Sequence, residues 1–200
     1  MSTYATVDEL KAHIQISDVY DDGAIELALV AASAEVDQWC GRNFDVDSDV
    51  TVRRFRGDGE YVQTSDISTT TGLIVQVDSV GDGTFPTTIA AADYVLEPLD
   101  GVGVDGRTGW PYTAIRFADY DFKDRVRPTV QVTARFGWPS VPKAVKQATL
   151  LLAARNFKLR EAPLGVAGFG DFGAVRVRDN PIVAQILAPY RRGGVSHGFA

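Results

Sequence analysis

The 200-residue sequence predicts an α+β protein. Its two ends form a helical bundle, an antiparallel β-sheet or barrel is inserted between them, and an extended arm closes the chain. Three observations carry this. Apolar residues recur with a helical period near the N-terminus. The period drops to about two between residues 50 and 137, and the helical period returns after Trp138-Pro139-Ser140. The implied parts are an N-terminal helical part (1–49), an inserted β domain (50–137), a long helix completing the bundle (138–162), and a C-terminal arm with a short helix (163–200).

Thr6-Val7-Asp8-Glu9 fits a capping box, in which the Thr6 hydroxyl and the Glu9 carboxylate satisfy each other's backbone N–H groups. The short helix that follows places Val7, Leu10 and Ile14 on one face. The acidic stretch Asp18–Asp22 breaks it and suits the positive N-terminal end of the next helix. There Ile25, Leu29, Ala32, Val36 and Trp39 recur at spacings of four and three, and Gly41 is a natural left-handed stop.

Strand candidates follow at Val50–Arg56, Leu73–Val80, Asp93–Glu97, Thr113–Ala118 and Thr129–Phe136. Gly57-Asp58-Gly59, Gly81-Asp82-Gly83 and Asp105-Gly106 supply turns between them. After Ser140 and Pro142, which suit a helix start, Val145, Ala148, Leu152 and Leu159 share one helical face. Lys143, Lys146 and Lys158 are left to solvent or to a partner. Pro163 ends this helix. Asn180-Pro181 opens a last short helix as N-cap and first-turn proline, with Ile182, Val183, Ile186 and Leu187 as its apolar residues.

Charge is distributed unevenly along the chain. The formal total is -6, but residues 1–50 carry -9, residues 51–139 carry -3, and residues 140–200 carry +6. An acidic head and a basic tail suggest surfaces that meet partners or other copies of the chain. No run approaches the roughly 18 apolar residues of a membrane span. The first residues lack a basic-then-apolar signal, so synthesis in the cytoplasm is expected.

Catalytic chemistry finds little support. The single Cys40 excludes an intramolecular disulfide and a cysteine-built zinc site. It ends an amphipathic helix beside Trp39, as a buried structural thiol would. The only histidines are His13 and His197, too few for a triad or a metal centre. Asp45, Asp47 and Asp49 alternate like the start of a calcium loop, but the positions needing Gly and Glu hold Val50 and Arg56. Gly101-Val102-Gly103-Val104-Asp105-Gly106 has dinucleotide-type spacing. It is followed by Pro111 and a β-rich run rather than the helix N-terminus a pyrophosphate needs, so it reads as a loop between strands. The chain is therefore expected to be no enzyme and to use no cofactor or metal.

The candidate partner-binding residues lie near the C-terminus. Arg176, Arg178, Arg191 and Arg192 are interleaved with Phe169, Phe172 and Tyr190, residue types enriched at interface centres. Residues 163–178 are too glycine-rich for a stable helix or strand, yet carry Leu164, Val166, Phe169, Phe172 and Val175. Such a segment suits an arm that orders on binding. A different class of function also fits: a ligand- or glycan-binding β module using the Gly-Asp loops.

The order of several motifs resembles the head–tail connector (adaptor) proteins of long-tailed bacteriophages. The N-terminal part of the likeness runs from Leu10-Lys11 and Asp21-Asp22 through Ala31-Ala32 and Val36-Asp37 to Trp39-Cys40-Gly41-Arg42-Asn43-Phe44. The second part comprises Phe136-Gly137-Trp138-Pro139, Val141-Pro142, Val145-Lys146-Gln147-Ala148 and Ala153-Ala154-Arg155. Pro163–Gly170 and Val175-Arg176-Val177-Arg178 resemble the C-terminal arm of adaptors from actinobacterial phages.

The resemblance implies a structural protein of the virion neck, assembled in the host cytoplasm as a ring of twelve copies below the portal. It would extend the channel through which DNA passes without sequence-specific binding, and receive a head–tail stopper or tail-terminator protein. A tail-completion or terminator ring protein is the neighbouring alternative. The long helix after Pro142 argues against the β-sandwich expected of those.

Overall fold

The computed structural model describes residues 3–17, 19–122, 126–160 and 180–192. The chain divides into two compact units. One combines the described parts of Met1–Phe44 and Val141–Ala200, and the other is Asp45–Ser140.

The first unit is helical. α1 (Val7–Ile14) starts on the capping box: the Thr6 hydroxyl accepts from the Glu9 N–H at 3.2 Å, and Glu9 Oε2 accepts from the Thr6 N–H at 2.9 Å. Thr6→Ala is expected to remove about 1 kcal/mol from this unit. Thermal unfolding checks it; an unchanged midpoint would show that α1 contributes nothing to the cooperative unit.

α2 (Asp22–Cys40) is closed by Gly41 at φ 64°, whose N–H donates to the Asp37 carbonyl. α3 (Lys143–Arg160) packs along α2, and α1 and α4 (Pro181–Leu187) pack against α3. The apolar stripes meet as the helical periods require. Leu10, Ile25, Leu29, Val36, Val145, Leu152, Val183 and Leu187 are all at most 1% exposed. Burying each such side chain contributes roughly 1.5–3 kcal/mol before the cost of ordering it. Leu159 and Ile182, which the helical period also placed among the apolar faces, are instead largely exposed.

Among the described residues, the second unit contains eight strands in two antiparallel sheets. β1 (Thr51–Phe55), β8 (Val130–Ala134), β4 (Ile74–Val77) and β5 (Thr87–Thr88) form one, in that order. β2 (Gly57–Asp58), β3 (Tyr61–Ile67), β7 (Tyr112–Phe117) and β6 (Tyr94–Glu97) form the other. Val52↔Thr133↔Ile74 and Val62↔Ile115↔Leu96 illustrate the registers. The expectation of one sheet or barrel is thus corrected: the described strands form two sheets, and they close no barrel.

The inward rows Val62, Ile67, Val75, Val77, Ile115, Phe117, Val130, Val132 and Phe136 make a single apolar cluster shared by both sheets. Alternation along β8, with Val130, Val132 and Ala134 buried, is the period-2 pattern at work.

β3 was absent from the sequence-based expectation, and the reason is chemical. Its inward positions include the polar Thr64 and Asp66, so its alternation does not read as apolar. Asp66 is buried because the chain around it uses it: its Oδ2 accepts from Trp138 Nε1 at 3.2 Å, and its backbone carbonyl accepts from the Gly137 N–H at 2.7 Å.

Candidate functional site

In the helical unit, the chain after α4 is seated on the C-terminal end of α2. The Asn180 side chain caps α4 by accepting from the Val183 N–H at 3.3 Å. Beyond α4, the Arg192 N–H donates to the Cys40 carbonyl at 2.7 Å. The Tyr190 ring meets the buried Phe44 ring edge-to-face at 6.1 Å, and Phe44 meets Tyr4 in the same way at 5.7 Å.

The Tyr4 hydroxyl donates to Asp37 and accepts from the Phe44 N–H at 3.0 Å. The Arg191 guanidinium lies 5.5 Å from the centre of the Trp39 ring while Arg191 stays exposed. Both ends of the chain therefore converge on one aromatic cluster at the end of α2.

This bears on the candidate partner-binding residues. Tyr190 is half-buried in that cluster, Arg191 is exposed over Trp39, and Arg192 is half-buried with its backbone tied to α2. Leu164, Phe169, Phe172, Arg176 and Arg178 lie outside the described residues.

The three lysines of α3 separate. Lys146 pairs with Glu9 at 2.7 Å, and this hydrogen bond is the main cause that holds the Glu9 carboxyl below its usual range. Lys143 and Lys158 are exposed. Sequence reasoning gave no role to Tyr4, Glu35 or Arg155. Arg155 Nη2 bridges both carboxylate oxygens of Glu35, at 3.1 and 3.2 Å, tying α3 to α2. The isolated acidic helix and isolated basic helix were the only hint of that pair.

Cys40 is fully buried, and burial pushes its thiol up to about 12. A thiol held so far above neutrality is a poor nucleophile.

The Gly-Asp loops of the sheet unit satisfy themselves. The Asp78 carboxylate accepts from the N–H groups of Val80, Gly81 and Gly83 at 3.3, 2.6 and 2.8 Å, taking donors that a bound phosphate would need. In the 101–106 segment, Gly103 donates to the Arg107 carbonyl, and Asp105 accepts from the Arg107 N–H and from Trp110 Nε1. Gly103 is needed there because a Cβ would lie 2.1 Å from the Trp110 indole. The chain then runs through Pro111 into β7, with no helix to receive a pyrophosphate.

Asp47, from the alternating acidic run, holds Arg53 at 2.9 Å and Thr51 at 3.1 Å. A cavity of 260 Å³ beside Asp78, Tyr120 and Arg127 falls just below the range of about 300–1,000 Å³ usual for small-molecule sites. Among the described residues no group of three or more His, Cys, Asp or Glu is placed to hold a metal ion. No helix among them is long and apolar enough to cross a membrane.

No protein-family model matches the chain, and no curated protein matches it. Solved structures do. One is a chain in the neck of an empty gene transfer agent particle computed with C6 symmetry. It is 21% identical, with a TM-score of 0.55 over 98% of this chain and 93% of that one. Another is a chain in the neck of the native particle computed with C12 symmetry. It is 20% identical, with a TM-score of 0.52 over 96% of this chain and 91% of that one. The likeness spans both units, so this chain shares its fold with chains found in the necks of gene transfer agent particles.

Proposed function

We propose that this protein is a structural component of a virion neck: a non-catalytic head-to-tail adaptor that forms a ring below the portal. The observation that carries this reading is the likeness of fold along 98% of the chain to a chain from a particle neck. The C12 symmetry of the second neck supports a ring of twelve. The motif order supports the adaptor role, and the arm-like pattern of residues 163–178 supports the finer likeness to adaptors of actinobacterial phages. In this reading the ring extends the DNA channel, and the stopper or tail-terminator protein docks on its far side.

The polarised charge fits assembly. Residues 161–179 separate two helices that are each seated in the helical unit. That segment carries Leu164, Phe169, Phe172, Arg176 and Arg178, the side chains proposed to enter the portal, with exposed Arg191 as an accessory contact. The ligand-binding alternative is disfavoured because Asp78 and Asp105 already occupy the loop amides.

Replacing both Arg176 and Arg178 by Glu is expected to weaken co-sedimentation with portal rings at least about a hundredfold, the loss expected for two interface arginines. Unchanged binding would overturn the assignment of this segment to the portal.

A further inference from the structure

α2 is apolar around most of its circumference. Ile25, Ala28, Leu29, Ala32 and Val36 face the interior of the helical unit. On the outward side, Gly23, Leu27, Ala31 and Gln38 are exposed, and Val30 and Ala34 are half-buried. At 3.6 residues per turn these six positions fall within an arc of about 100°. None of them is charged. Leu27 is 72% exposed, and Val19, just before the helix, is 71% exposed. A helix that carries an uncharged, largely apolar arc on its outward side as well as its inward one presents a surface suited to a partner.

Charge indicates what covers this face. α2 carries Asp22, Glu26, Glu35 and Asp37 and no Lys or Arg. α3 carries Lys143, Lys146, Arg155, Lys158 and Arg160 and no Asp or Glu. Part of this is matched within the chain, through Lys11–Asp22 at 2.7 Å, Arg155–Glu35 at 3.1 Å and Lys146–Glu9 at 2.7 Å.

Glu26 is left exposed at the margin of the apolar arc. On α3, Lys143, Gln147 and Lys158 are exposed, with Leu151 and Ala154 half-buried between them on the same stripe. The helices have 19 and 18 residues, so each stripe is about 27 Å long.

Resting on the neck-ring reading, we propose that the outward face of α2 in one copy packs against the outward face of α3 in the next. Gly23, Ala31 and Ala34 allow close approach. Leu27 and Val30 meet Leu151 and Ala154. The lysine stems extend the apolar cover while their ammonium groups reach the acidic margin of α2. Because α2 and α3 pack on each other within one chain, their outward faces point away from each other. The contact is therefore heterologous and propagates from copy to copy, the arrangement that closes into a ring.

The test uses the full chain under conditions that assemble rings with portal, with buried Cys40 left in place. Chains carrying Ala31→Cys are mixed with chains carrying Gln147→Cys and treated with a short bis-maleimide. Linked dimers are expected from the mixture and about tenfold fewer from either variant alone, as a heterologous contact requires. Leu27→Glu is expected to abolish rings in electron micrographs while melting within about 2 °C of the unsubstituted chain, as an exposed site should.

Normal rings with Leu27→Glu, or with Lys143→Glu/Lys158→Glu, would overturn this interface while leaving the neck reading intact. Linking of the Ala31→Cys chain to itself would show a two-fold contact and overturn it as well. A clear fall in melting temperature with Leu27→Glu would show that the face is already covered within the chain and would overturn the interface. Failure of the unsubstituted chain to form any ring with portal would remove the neck reading and this interface with it.

Discussion

Gly137→Ala is expected to destabilise the sheet unit by about 3–5 kcal/mol, the upper end of single-substitution effects. Gly137 has φ +112°, a conformation that side chains rarely adopt. A Cβ there would lie 1.8 Å from the Asp45 carbonyl oxygen and 2.7 Å from the Val46 Cα, both backbone atoms. Neither can step aside, because Val46 and Gly137 form a β-bridge. That bridge is flanked by hydrogen bonds from the Asp47 N–H to the Phe136 carbonyl at 2.8 Å and from the Trp138 N–H to the Asp45 carbonyl at 3.2 Å.

Relief of the clash separates the two segments and withdraws the Gly137 N–H and the Trp138 indole from Asp66. A unit of this size should lose more than about 15 °C of melting temperature. The fluorescence of Trp110 and Trp138, whose rings lie 5.0 Å apart, reports this unit. A shift below about 3 °C would mean that the 45–47 and 136–138 segments are not held as described.

Phe44→Ala is expected to cost the helical unit about 3–5 kcal/mol, the range for removing a buried aromatic ring. Phe44 is 1% exposed, and its ring touches both Tyr4 and Tyr190. Its loss leaves a cavity where the N-terminal strand of chain, the end of α2 and the segment after α4 meet.

The expected result is a lower melting temperature together with faster tryptic cleavage at Arg191 and Arg192 in otherwise folded protein. Cleavage at the original rate would mean that the Arg192–Cys40 backbone hydrogen bond alone seats the tail. In the neck reading, such a variant would also lose a fixed starting point for the segment proposed to dock on the portal.

The helices were the most legible part of the fold. α2 announced itself because Ile25, Leu29, Ala32 and Val36 repeat at one face and Gly41 stops them. α1 announced itself through two side chains, Thr6 and Glu9, that need no tertiary partner. These signals are local, and local geometry decides them. β3 was illegible because Thr64 and Asp66 face inward, and their burial makes sense only with Trp138 and Gly137, some 70 residues later, beside them. The aromatic cluster of Tyr4, Phe44 and Tyr190 was hidden for the same reason: it joins residues from opposite ends of the chain.

The candidate site divides along similar lines. The residues proposed for the portal stand out by type, since Arg and aromatic side chains among glycines are conspicuous in any sequence. The outward face of α2 does not stand out. Leu27, Val30, Ala31 and Ala34 lie off the Ile25–Leu29–Ala32–Val36 stripe, and the spacing that marks that stripe does not say whether the apolar residues beside it meet a partner.

Residue order alone was enough to place the helical ends, the β-rich middle, the polarised charge and the poverty of catalytic groups. Each is a property of spacing or composition. Packing was needed to split the middle into two sheets, to bury Asp66, and to reserve Gly137 for a close crossing of backbones. These outcomes depend on which distant segment arrives at each face. A one-dimensional pattern records periodicity, but not the partner against which it is satisfied.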